Sequence, residues 1–135
     1  MRLDEAAQKY MGIRFQHQGR NPEFGIDCIG LLFLSATDCG LSTEADIKGY
    51  SRTPSNGMLE GGLRKAFGNP VPGPIQAGDV VSIDYLGATR HVGIICNHPK
   101  GLSLLHTNMA LGEVTEALVD AKWLKRITGI YRPNL

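Results

Sequence analysis

One cysteine and two histidines have the surroundings that nucleophilic chemistry needs. Cys28 directly follows Asp27, a good helix N-cap, and precedes the apolar run Ile29 to Leu34. It therefore falls in the first turn of a helix. Unpaired backbone N–H groups and the positive end of the helix dipole favour a thiolate there, and the same groups can hold an oxyanion. The plain alternative is that Cys28 is a small buried apolar residue. His91 begins the strand-like run His91-Val92-Gly93-Ile94-Ile95, with Gly93 next on its own face, which leaves room for something to approach the ring. His106 ends the run Leu102 to Leu105 and places a polar ring at the sheet's edge.

The spacing of the two histidines carries information. If their strands form a hairpin through Asn97-His98-Pro99-Lys100, Cys96 faces Gly101 and His91 stands opposite His106. The Cβ atoms would then lie ~5 Å apart on one face, the face expected to meet the N-terminal end of the Cys28 helix. A slip of one residue would separate them. A thiol at a helix start with two cross-strand histidines is the layout of a nucleophile, a general base and an orienting group. A zinc site at Cys28, His91 and His106 is the competing reading, but no C-x-x-C or H-x-x-x-H pair accompanies it and a fourth ligand is missing. Cys39 lies ~16 Å from Cys28 along a continuous helix, too far for a disulfide or a shared metal. Cys96 closes an apolar strand, and His17 and His98 read as exposed loop residues.

Several elements must hold these residues in place. Leu3 to Met11 has its apolar residues at helical spacing, with Gly12 as a stop. A polar loop from Arg14 to Phe24 leads to a helix over Ile26 to Gly40, apolar all round in its middle and so expected to be central. Ser42 to Pro54 reads as irregular. Leu59, Leu63, Ala66 and Phe67 mark a short amphipathic helix, weakened by Gly61-Gly62. From Gly78 onwards the pattern becomes strands, over Asp79 to Tyr85, Arg90 to Cys96, Leu102 to Thr107, Glu113 to Leu118 and Ile127 to Arg132. Helices first and strands afterwards predict an α+β domain, with N-terminal helices packed on an antiparallel sheet.

Composition removes other classes of function. A length of 135 residues suits one domain, and 42% apolar with 20% charged residues supports a real core. A formal net charge of +1 lacks the basic field of a nucleic-acid coat, so no nucleic-acid partner is expected. Asp4 and Glu5 stand where a secretory leader needs basic residues, and the apolar run between Asp27 and Asp38 is too short to span a membrane. Synthesis in the cytoplasm without membrane insertion is the expectation. Three cysteines, an odd number, cannot form a complete disulfide framework.

Four strings, taken in order and spacing, resemble a known family. Asp27-Cys28-Ile29-Gly30, Gly78-Asp79-Val80-Val81, His91-Val92-Gly93-Ile94 and Leu104-Leu105-His106 are similar to those of the NlpC/P60 cysteine peptidases, over Ala6 to Arg132. The resemblance implies a reduced papain-like fold with Cys28 as nucleophile, His91 as base and His106 as third polar residue, and no cofactor or metal. Cysteine before histidine matches the unpermuted members, which hydrolyse peptide or amide bonds, rather than the permuted acyltransferases. The family cleaves peptidoglycan stem peptides, typically between D-γ-glutamate and the diamino acid, which implies a peptidoglycan peptide as substrate. The segment Gly12-Ile13-Arg14-Phe15-Gln16-His17-Gln18-Gly19-Arg20 resembles members linked to phage tails, implying tail proteins as partners and action at the cell wall. Phe15 replaces the usual tyrosine and Ile29 the usual serine. An inert or accessory tail-assembly protein of the same fold, and an amide transferase, stay open as other readings.

Overall fold

A computed structural model describes residues 1–41, 46, 57–85 and 88–133. The chain runs α1 (Leu3–Gln8), β1 (Arg20–Asn21), β2 (Gly25–Ile26), α2 (Cys28–Asp38), α3 (Met58–Phe67), β3 (Val80–Tyr85), β4 (Ala88–His98), β5 (Gly101–Asn108), β6 (Glu113–Leu118), α4 (Ala121–Arg126) and β7 (Ile127–Tyr131). Strands β3 to β6 form an antiparallel meander, and β7 pairs with the free side of β3, giving the order β6-β5-β4-β3-β7. The expected α+β architecture is found, with α1, α2 and α3 on one face of an antiparallel sheet and α4 against the other.

Period-two alternation divides the sheet's side chains between two apolar layers. Val80, Val92, Ile94, Cys96, Leu105 and Val114 pack with the helices. Val81, Ile83, Ile95 and Leu104 face the other way, covered by Ile75, Trp123, Ile127 and Ile130. Central strands buried on both sides explain why β4 and β5 read as nearly continuous apolar runs. The start of β3 is pinned from afar. Asp79, 1% exposed, receives Arg132 Nε on Oδ1 at 2.8 Å and Nη2 on Oδ2 at 3.0 Å. This bidentate pair ties the residue before β3 to the residue after β7.

The two N-terminal helices follow the sequence reading with shorter bounds. Leu3, Ala6, Ala7 and Tyr10 are the buried face of α1 and its following turn, and Gly12 has the positive φ of +83° expected of a stop. Helix α2 begins where Asp27 caps it and ends before Gly40, at φ +75°. Tyr10 donates its hydroxyl to the Asp38 carboxylate at 2.6 Å, which also pairs with Lys9 at 2.8 Å, so α1 is tied to the last turn of α2.

Three features depart from the sequence reading. The β4–β5 hairpin turns through two residues, Pro99 and Lys100, with His98 opposite Gly101. The expected four-residue loop is corrected, and the register moves by two. Lys100 donates its N–H to His98 Nδ1 at 3.1 Å, which helps close the tighter turn. Helix α4 was not expected, and neither was the small β1–β2 ladder. The irregular stretch read over Ser42 to Pro54 lies outside the described residues apart from Asp46. Among the described residues no helix is long and apolar enough to cross a membrane.

Candidate active site

Cys28 is the first residue of α2, and the turn that holds it is braced by the neighbouring carboxylate. Asp27 Oδ1 accepts the Gly30 N–H at 2.8 Å and Arg20 Nη1 at 3.0 Å, while Oδ2 accepts the Gln18 N–H at 2.8 Å. One side chain thus caps the helix and holds the preceding loop against it. Arg20 reaches onwards to Asp46 Oδ1 at 2.7 Å. Glycines permit the close crossing. A Cβ on Gly30 would collide with the Gly19 carbonyl oxygen, and one on Gly19 with the Gly25 carbonyl oxygen.

The sheet opens towards this helix end. The β4–β5 ladder runs from His98↔Gly101 to Ile94↔Leu105. Ile95 bonds through its N–H to the Asp79 carbonyl on the β3 side, so alternation turns the Val92 amide towards the β5 side, beyond the last ladder pair. That amide acts on the Cys28 sulfur, together with the amides of Ile29 and Cys28 itself. The thiol therefore sits at the gap where β4 and β5 part, next to the residue that follows His91.

His91 and His106 are in direct contact. His91 Nε2 lies 2.9 Å from His106 Nδ1, with ring centroids 5.1 Å apart and planes at 80°. They come together although the expected register was wrong. A shift of two residues moves His106 from directly opposite to diagonal, but an even shift keeps both rings on one face. That face also differs from the expected one. His91 pairs with Ile83 and belongs to the layer of Ile95, Leu104 and Trp123, away from the α2 layer. Cys28 approaches from the gap, past Val92, rather than across a shared face. The expected space over Gly93 is filled as well. A Cβ there would collide with Leu104 Cδ1 and come within 3.2 Å of the Leu105 carbonyl oxygen.

Burial sets the protonation states. The Cys28 thiol is pushed up to about 12, first by desolvation and then by the Asp27 charge, against the three amides. His91 is pushed down to about 3 by burial and then by repulsion from a charged His106, and burial lowers His106 to about 4. Cys28 and His91 each keep some surface, so neither is sealed in the core. The thiol is shifted up and both imidazoles down, and each shift favours the neutral form, so the resting site holds a neutral thiol and two neutral imidazoles. Arg20 offsets the Asp27 charge that would otherwise oppose thiolate formation still more. Such a set can attack a carbonyl carbon with sulfur while an imidazole takes the thiol proton.

The remaining sequence candidates lie elsewhere. Cys39 caps the end of α2, and Cys96 is fully buried against the Asp4 carbonyl. His98 shapes the hairpin turn. Phe15 bridges to Ile26 at the back of the loop. Among the described residues no group of three His, Cys, Asp or Glu could hold a metal ion. Sequence reasoning missed Trp123, whose indole stands 5.1 Å from the His106 ring at 71°. The Asp120 N-cap was the one readable sign of its helix: its carboxylate accepts the Trp123 N–H at 3.0 Å.

No model of a protein family matches the chain, and no curated protein does. Solved structures do. The NlpC/P60 domain of the peptidoglycan hydrolase SagA superposes with a TM-score of 0.62 at 21% identity, covering 96% of this chain and 94% of that one. A lipoprotein-like NLP/P60 family protein from Staphylococcus aureus gives 0.62 at 18% identity, covering 96% of this chain; the chain spans 39% of that protein's length. An N-acetylmuramoyl-L-alanine amidase from Bacteroides uniformis gives 0.62 at 14% identity, over 96% and 95%. The fold is that of NlpC/P60 domains.

Proposed function

We propose that the chain is a cysteine peptidase that hydrolyses peptidoglycan stem peptides. The observation that carries this reading is the His91–His106 hydrogen bond, with the thiol of a capped helix start held at the amide of the next residue, Val92. Cys28 Sγ attacks the amide carbonyl carbon, forming the S–C bond as its proton passes to His91 Nδ1. The amine leaves with that proton as the C–N bond breaks. Water then adds to the thioester, giving its proton to His91, which returns it to sulfur as the acid departs. The Ile29 and Cys28 amides at the start of α2 face the charge that develops on the carbonyl oxygen. His106 orients His91 and spreads the charge of the imidazolium. No step needs a cofactor.

The hydrolase neighbours of the same fold support peptidoglycan as substrate. The family resemblance points to the bond between D-γ-glutamate and the diamino acid, and the amidase names of two neighbours favour a second reading, the muramoyl–alanine amide. Digestion of purified muropeptides, with the products weighed, separates them. Endopeptidase action shortens the stem and leaves the sugar attached, whereas amidase action frees the whole peptide from it. Intact muropeptides at high protein concentration would overturn both. The segment Gly12 to Arg20 supports the narrower reading of a tail-borne enzyme, which detection of the chain in purified phage particles checks.

A further inference from the structure

His106 has one ring nitrogen accounted for and one that is not. Nδ1 shares a proton with His91 Nε2, while Nε2 is buried without a hydrogen-bond partner. In a neutral pair this second nitrogen decides where the protons sit. If His91 donates from Nε2, His106 carries its own proton on Nε2 and His91 Nδ1 is a bare lone pair. If His106 donates from Nδ1, its Nε2 is the lone pair and His91 is protonated on Nδ1, where it cannot take a proton from a thiol. Only the first arrangement supplies a base.

The aromatic group beside His106, apart from His91, is the indole of Trp123, edge to face at 5.1 Å. His106 Nε2 is buried without a hydrogen-bond partner, and the indole meets its ring edge to face, a class of contact in which one ring's N–H can rest on the other's π system. An indole face is electron-rich; it receives an N–H and repels a lone pair. We propose that the indole face of Trp123 receives the His106 Nε2–H, and that Trp123 is thereby a positioning residue that holds His106 as the Nε2–H tautomer and leaves His91 Nδ1 free to act as base. The indole is itself held. Asp120 fixes its backbone through the N-cap, and Arg126 lies over the ring at 5.8 Å, one turn further along α4. This inference rests on the proposed role of His91.

The test is the 15N spectrum of the histidine rings, with muropeptide hydrolysis measured alongside, in the wild type, Trp123→Phe and Trp123→Leu. Trp123 is half-buried on a short surface helix, so both variants should fold. The wild type should show His91 bare at Nδ1. Trp123→Phe keeps an aromatic face and should stay close to it. Trp123→Leu keeps apolar burial and loses the face, so the Nδ1-protonated form of His91 should grow and kcat fall by roughly two- to fivefold at unchanged KM. A wild-type His91 protonated on Nδ1, or a wild-type tautomer in Trp123→Leu, overturns the inference. Equal losses of kcat in both variants also overturn it, since packing alone would produce that. A wild type with the expected tautomer that hydrolyses no muropeptide counts against the proposed function and leaves the role of Trp123 standing.

Discussion

Replacing Gly30 with alanine sets two effects of opposite sign against each other. In an exposed helix interior the change stabilises by about 1 kcal/mol, because glycine loses more backbone entropy on folding. At Gly30 the new Cβ would collide with the Gly19 carbonyl oxygen and lie 3.1 Å from Ile26 Cβ. Gly19 cannot yield freely. Its N–H bonds to the Gln16 carbonyl at 2.9 Å, and its own Cβ direction is closed by the Gly25 carbonyl oxygen. Relief requires the loop to lift from the helix, which strains the Gln18 and Arg20 contacts to Asp27. Overpacking of this kind costs roughly 1–3 kcal/mol and adds to a weakened charge-assisted bond, so the net loss should be about 2 kcal/mol. Gly61 in α3 is the control, since a Cβ there meets nothing within 4 Å. Gly61→Ala should gain about 1 kcal/mol. Urea unfolding followed by circular dichroism measures both, and hydrolysis should fall in Gly30→Ala as Cys28 shifts with its loop. A Gly30→Ala protein as stable as the wild type would refute the steric reasoning.

Other perturbations separate the roles of the site residues. Cys28→Ser should keep the melting temperature and abolish hydrolysis, whereas Cys39→Ser should move stability alone; wild-type turnover in Cys28→Ser would sink the nucleophile. His91→Ala should cost about a hundredfold or more in kcat and His106→Ala less, because the first removes the base and the second its orientation; the reverse order in steady-state kinetics would contradict the assignment. Acid should also destabilise the fold through His106. Its native pKa of about 4 lies below the unfolded value, so between the two the unfolded chain binds more protons. Stability is then complete above about pH 6.5 and declines towards pH 4, by up to about 3 kcal/mol from this ring. Urea midpoints at several pH values should show a shallower acid slope in His106→Gln; an unchanged slope would remove His106 from the effect.

The sequence was most informative where one residue decides one geometry. Asp27 announced the start of α2, and Gly12 and Gly40 its neighbouring stops, because caps and positive-φ stops are local. Register was harder to read. Pro99-Lys100 closes a two-residue turn where four residues were expected, and both choices leave His91 and His106 on one face. The histidine contact was therefore legible, but its diagonal form was not. The face was misjudged because alternation within β4 shows which residues travel together, and not which side the helices cover. Helix α4 has six residues, too few to show a period, and Trp123 lies far from His106 in sequence. Nothing local could have joined them.

Trp123 is the chain's single tryptophan, and its position makes the protein's ultraviolet emission a report on one ring. An excited indole loses its energy readily to a protonated imidazole in contact and much less to a neutral one. Every photon the tryptophan emits is therefore gated by the charge on His106. Titration with acid should dim the emission along the protonation curve of the histidine pair, well below the range of a solvent-exposed histidine. Binding of a peptide against the histidine pair should change the brightness before any bond is cut. The pre-steady-state course of substrate binding can then be followed in stopped flow with no dye attached and no residue changed.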